Sequence, residues 1–137
     1  MLIDSSILIY SLNQSSPKQL VAQEFLESQD RIIFAHQNIF ETLRILTHTK
    51  LPNPFSTKEA IESISAITQQ STVIFPNFET QALALELIKK YKIAGTEIFD
   101  AYLVATALSN GINKIATDNT KHLQKYTEIG VINPFKE

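Results

Sequence analysis

Asp100 lies in the stretch Ile98-Phe-Asp-Ala-Tyr-Leu-Val-Ala-Thr-Ala-Leu108, with Leu103, Val104, Ala107 and Leu108 following it at i+3, i+4, i+7 and i+8. That spacing puts the acid on the apolar stripe of its own helix. A carboxylate facing a core must pair, hold a metal or take up a proton. Asp4 and Asp118 each close a short apolar run, Met1-Leu-Ile3 and Lys114-Ile-Ala-Thr117, that reads as a strand. In a parallel sheet the carboxyl ends of strands open on one crevice, where α/β proteins place their sites. Carboxylates that converge there repel one another until a hard divalent ion with oxygen ligands, Mg²⁺ or Mn²⁺, neutralises them. Such ions polarise a phosphodiester and lower the pKa of a bound water.

The residues taken singly leave plainer roles open. Asp4 reads equally as the N-cap of the helix Ile7–Leu12, although Ser5 or Ser6 could cap in its place. Glu41 stands early on a helix beside the same crevice, but Arg44 at i+3 would make it half of a surface ion pair. Asp100 and Glu97 both suit the first turn of a helix electrostatically, and Asp118 could be only the cap of the last helix. His36, His48 and His122 show no metal-binding spacing and read as packed or solvent-exposed. Ser5 lacks the GxSxG setting of a hydrolase nucleophile, and with three glycines in the chain there is no phosphate-cradling loop.

The elements that must position these acids alternate. Strands are expected at Met1–Ile3, Arg31–Ala35, Ser71–Phe75 and Lys114–Thr117, with a further edge strand at Val131-Ile132. After Pro17, Leu20, Val21, Phe25 and Leu26 mark a helix ending near Gln29. A helix from Gln37 to Thr49 shows Phe40, Leu43, Leu46 and Thr47 on one side and stops before Pro52-Asn-Pro54. Thr57 is placed to cap a helix with Ile61, Ile64 and Ile67 spaced for packing. Another amphipathic helix spans about 79 to 92, Gly95 separates it from the helix of Asp100, and a short helix runs from Asn119 to about Tyr126. Such alternation predicts an α/β fold with a mainly parallel sheet covered on both faces.

A chain of 137 residues with no polar linker reads as one domain over 1–137. Its 44% hydrophobic and 19% charged content suits a globular protein, and no apolar run is long enough for a membrane span. Without cysteine there are no disulfides or thiolate metal sites, which is compatible with the cytoplasm. The opening Met-Leu-Ile-Asp has no basic stretch or cleavage site of a signal peptide. A net charge of -2, from 12 basic and 14 acidic residues, does not by itself point to nucleic acid. Lys89, Lys90 and Lys92 form the one basic cluster, read as a solvated helix end.

Taken together, Leu2-Ile-Asp-Ser-Ser-Ile-Leu-Ile9, Phe40-Glu-Thr-Leu-Arg-Ile-Leu46, Phe99-Asp-Ala-Tyr-Leu-Val-Ala-Thr-Ala-Leu108 and Ile115-Ala-Thr-Asp-Asn119 resemble a PIN domain, most closely the VapC-type toxin ribonucleases. The resemblance spans residue 2 to about Phe135. It implies a three-layer α/β/α PIN-like fold with a central sheet of four to five strands. It also implies a Mg²⁺- or Mn²⁺-dependent endoribonuclease, the toxin of a type II toxin–antitoxin pair, with an RNA substrate, a cognate antitoxin protein and a homodimer. By the same resemblance Asp4, Glu41, Asp100 and Asp118 are the catalytic, metal-holding acids, supported by Ser6, Thr117 and Asn119. The usual Thr-x-Asp or Thr-x-Asn pattern is departed from, since Thr117-Asp118-Asn119 puts the asparagine in the usual slot and the acid one residue early. The alternatives are an RNA processing or decay nuclease without an antitoxin, and a non-catalytic PIN-like binding module whose acids are only caps.

Overall fold

Runs of two or three residues, most of them apolar and too short to stand alone, make every strand of the sheet. The computed structural model describes residues 1–136. Strands β1 (Leu2–Ile3), β2 (Ile33–Ala35), β3 (Thr72–Ile74), β4 (Lys114–Ala116) and β5 (Gly130–Ile132) form one sheet in the order β3-β2-β1-β4-β5. Every pairing is parallel, with Leu2 opposite both Ile33 and Ile115. The expected sheet is therefore present, with β5 as a true edge strand.

Alternation along the strands divides the core between two faces. Leu2, Ile33, Ala35, Ile74 and Ile115 point to one side, where they meet Ala84 and Leu87 of α5 (Thr80–Tyr91) and Ala101 and Val104 of α6 (Ile98–Ser109). Leu123, from the short α7 (Thr120–Leu123), and Tyr126 close that layer. Ile3, Phe34 and Ala116 point to the other side, against Ile7 and Leu8 of α1 (Ser5–Leu12) and Ala22 of α2 (Gln19–Glu27). α3 (His36–Leu46) leaves the end of β2 with no intervening loop and packs on α1, and α4 (Thr57–Gln69) packs on α3. This is a three-layer α/β/α arrangement. No helix among the described residues is long and apolar enough to cross a membrane.

Local chemistry explains where the periodicity misled. In α2 Ala22, Phe25 and Leu26 pack against the core, while Leu20 and Val21 are exposed, so only the second half of the expected stripe faces inward. Phe40 on α3 and Ile61 on α4 are likewise exposed, and Leu46 and Ile64 do the packing. The cap of α4 is Ser56 and not Thr57: the Glu59 N–H donates to Ser56 Oγ at 3.1 Å, and the Ser56 N–H donates to Glu59 Oε1 at 3.0 Å. This reciprocal pair fixes the helix start one residue earlier. Ser56→Ala is expected to lower stability by about 1 kcal/mol in a denaturant melt, with the unfolding slope unchanged.

Candidate active site

Asp4 is the residue at which β1 stops pairing and α1 begins. Its N–H donates to Ala116 O at 2.9 Å, continuing the sheet, and its backbone is extended at φ -75°, ψ 157°. The side chain caps nothing in the helix it precedes. It instead receives Thr117 Oγ1–H on Oδ2 at 2.7 Å, Ser6 Oγ–H on Oδ2 at 3.3 Å, Ser5 Oγ–H on Oδ1 at 3.5 Å, and Asn38 Nδ2–H on Oδ1 at 3.4 Å. Burial pushes the Asp4 carboxyl above its ordinary value, and the hydroxyl donors, Thr117 foremost, act against it.

Asn38 sits in the first turn of α3, wholly buried. Its Oδ1 accepts the Ala35 N–H at 3.0 Å, which locks the strand-to-helix corner. Its Nδ2 donates to Asp4 and also to Glu41 Oε1 at 3.4 Å, so one amide spans two acids. Glu41 forms no ion pair with Arg44. Burial raises its carboxyl, the charge of Asp4 adds to this, and Asp100 adds further. Asp100, half-buried in the first turn of α6, is raised first by burial and then by Asp4 and Glu97, with His122 and Lys125 opposing. The stripe argument holds in part: α6 is buried around most of its circumference, and Asp100 marks where its N-terminal end reaches the crevice.

Asp4, Glu41 and Asp100 thus come from three separate elements to line one cavity of about 380 Å³, with Ser5, Ser6 and Asn119 on its wall. Three acids, all made harder to ionise by burial, Glu41 and Asp100 also by the charge of Asp4, make a hard-oxygen donor set that a divalent cation would neutralise. A larger groove of about 460 Å³ between α5 and α6 is mainly apolar and contains no carboxylate.

Asp118 is brought near but faces elsewhere. Its Oδ2 takes Lys18 Nζ–H at 2.7 Å and Tyr10 Oη–H at 2.8 Å, and its Oδ1 takes Asn133 Nδ2–H at 3.3 Å. Burial alone would raise its carboxyl, but Lys18, Tyr10 and Asn133 outweigh this and hold it below the usual range. The following residue, Asn119, lines the cavity in its place, its N–H anchored on Thr117 Oγ1 at 2.9 Å. Ser6 Oγ receives the Asp118 N–H at 3.1 Å, tying this turn to α1. Lys18→Met is expected to lower stability by about 1 kcal/mol or less, since the lysine is 40% exposed and its pair is screened. Because Asp118 is depressed when folded, its contribution is present above the ordinary value of 3.8 and lost as pH falls through the folded value. The variant should show a flatter loss of stability between neutral pH and acid, read from melts at several pH values.

Two participants have no sequence signal of the kind used above. Asn38 could have been found from its place three residues past the strand end, the position from which a side chain reaches back to the corner. His122 lies beside Glu97 and Asp100, an adjacency that depends on α7 folding back over α6 and that no local spacing encodes.

A parallel α/β/α sheet with clustered acids at the carboxyl ends of its strands has them where open α/β folds place their sites. The PIN domain family model matches residues 1–128, and the chain belongs to that family. Among solved structures it is similar to VapBC-1 from nontypeable Haemophilus influenzae, at 18% identity and TM-score 0.72 over 98% of each chain. A toxin–antitoxin complex from Klebsiella pneumoniae is as similar, at 18% and 0.72 over 99% of this chain and 98% of that one. VapC20 of Mycobacterium tuberculosis, described as a toxin that cleaves the sarcin-ricin loop, matches at 15% and 0.70 over 94% and 98%. No curated protein matches in sequence.

Proposed function

We propose that the chain is a divalent-metal-dependent endoribonuclease, the toxin of a type II toxin–antitoxin pair acting in the cytoplasm. The observation that supports it best is the convergence of Asp4, Glu41 and Asp100, from β1, α3 and α6, in one cavity at the carboxyl edge of the sheet. These three acids would hold Mg²⁺ or Mn²⁺. Asn119 lines the same cavity, and Asp118, the expected fourth acid, instead serves by fixing the turn that presents Asn119. Bound there, the ion would supply the charge that offsets a phosphodiester and acidifies a water. Thr117 and Ser6 orient Asp4 and act against the rise that burial imposes on its carboxyl, and Asn38 sets the spacing of Asp4 and Glu41. An RNA substrate, a cognate antitoxin and a homodimer are part of the proposal, supported by the toxin and toxin–antitoxin neighbours.

The test is cleavage of a structured synthetic RNA by the folded chain, with Mn²⁺ and with a chelator. Cleavage that needs the metal supports the proposal. A folded protein that neither binds Mn²⁺ nor cuts RNA makes the chain a non-catalytic PIN-like module. Cleavage without any neighbouring gene for an inhibitory protein makes it a processing nuclease.

A further inference from the structure

Asn38 ties Asp4 to Glu41, and Gln37, the residue before it, ties the helix of Glu41 to that of Asp100. Its Nε2–H donates to Phe99 O at 3.2 Å, one residue ahead of Asp100, in a hydrogen bond that spans 62 residues. α3 packs on α1, α4 and β2, and α6 packs on α5 and β2, so the two helices share little direct packing. Among the described residues this is the one side-chain hydrogen bond that joins them. Gln37 also precedes Glu41 by four residues, on the same face of α3. Burial and the charge of Asp4 raise the Glu41 carboxyl, and the Gln37 amide acts against them. The other end of that amide is poorly served, since Gln37 Oε1 is buried with no hydrogen-bond partner. A buried acceptor left alone is costly, and an apolar side chain of similar length would avoid the cost. Stability therefore gives little reason for a glutamine here, and the contact made by its Nε2 gives a better one.

We propose that Gln37 is a positioning residue that sets the separation of Glu41 and Asp100 by fastening the first turn of α3 to the first turn of α6. The inference rests on the reading of those acids as a metal site. Without an ion the two carboxylates repel, and the charge of Asp100 raises the Glu41 carboxyl. Glu97 pairs with His122 and Lys125, so the start of α6 has other partners to settle on once the Phe99 bond is cut. Gln37 does not line the cavity, and it acts only through where the two acids stand. Mg²⁺ demands oxygens at about 2.0–2.1 Å in near-ideal geometry, so a small shift of one carboxylate is felt.

MnCl₂ is titrated calorimetrically into the full chain, wild type and Gln37→Met, well below either melting temperature, and RNA cleavage is followed at saturating metal. Metal-free melts should differ little, because methionine gives up the Phe99 bond and the orphaned oxygen together. Mn²⁺ affinity should fall about tenfold and kcat about 10–100-fold, with KM for RNA within about twofold, the pattern of a group that orients ligands. Gln37→Ala, at a half-buried position that a helix accepts readily, should give the same split and keeps the test decisive if methionine packs badly. A variant that melts well below wild type yet binds Mn²⁺ equally would make Gln37 a brace for the fold and overturn the positioning role. Equal melts with equal affinity would overturn it too. A folded wild type that binds no Mn²⁺ fails the metal-site reading itself, before any variant is compared, and takes the inference with it.

Discussion

Asp100→Asn is expected to abolish Mn²⁺ binding at near-neutral pH and to lower RNA cleavage by at least about 100-fold, the scale on which removing one electrostatic contact to a reacting group acts. Asp100 completes a donor set with Asp4 and Glu41, in which Asp4 and Asp100 both raise the Glu41 carboxyl. Loss of folding is not expected to account for the result. Asp100 is raised in the folded protein, so the metal-free chain is best off below the ordinary value of 3.8 and loses stability as pH rises through the folded value. An asparagine removes that penalty, and the metal-free variant should melt at or above the wild-type temperature at neutral pH. Adding Mn²⁺ should raise the melting temperature of the wild type alone. At a hundred times the dissociation constant the gain is about 2.7 kcal/mol. A variant that melts well below the metal-free wild type would assign Asp100 to structure, and one that still binds Mn²⁺ normally would remove it from the site.

Thr117→Val tests the support of the site without touching a ligand. Thr117 is fully buried and donates the shortest hydrogen bond that Asp4 receives, 2.7 Å, while its oxygen also accepts the Asn119 N–H. Valine keeps the shape and removes both. Hydrogen bonds to charged groups contribute about 1.5–3 kcal/mol each, so stability near neutral pH should fall by roughly that amount. Groups that orient metal ligands typically matter by about 10–100-fold, and cleavage should drop in that range. Burial already raises the Asp4 carboxyl, and without its best donor it should rise further, so the acid limb of the pH–rate profile should move to higher pH. Thr117→Ser, which restores the hydroxyl, should recover most of the rate.

The sheet and the chain order of its strands were legible in the sequence because parallel strands buried on both faces leave short apolar runs between amphipathic helices. Asp4 and Asp100 were legible for the same reason: each interrupts an apolar pattern at an element boundary. What stayed hidden depends on partners distant along the chain. Lys18 lies 100 residues before Asp118, and nothing near either announces the pair that turns Asp118 from the cavity. The exposed Leu20 and Phe40 mislead because a helix packed through Ala22 or Leu46 can leave larger residues outside. Glu41 looked like half of a pair with Arg44, and only the fold shows that its neighbours are Asn38 and other acids.

The position of β1 at the centre of the sheet also bears on how the protein is made. β1 comes from the first three residues, yet one of its two partners, β4, begins at Lys114. While the chain emerges from the ribosome, β1 can pair with β2 alone and keeps an open edge until Lys114–Ala116 has been synthesised. The Asp4–Thr117 hydrogen bond spans 113 residues and closes at the same late moment. A prematurely released fragment ending before Lys114 therefore has Asp4 with neither its sheet neighbour nor its best donor. The Asp4 corner of this site is complete only in chains that extend past Thr117.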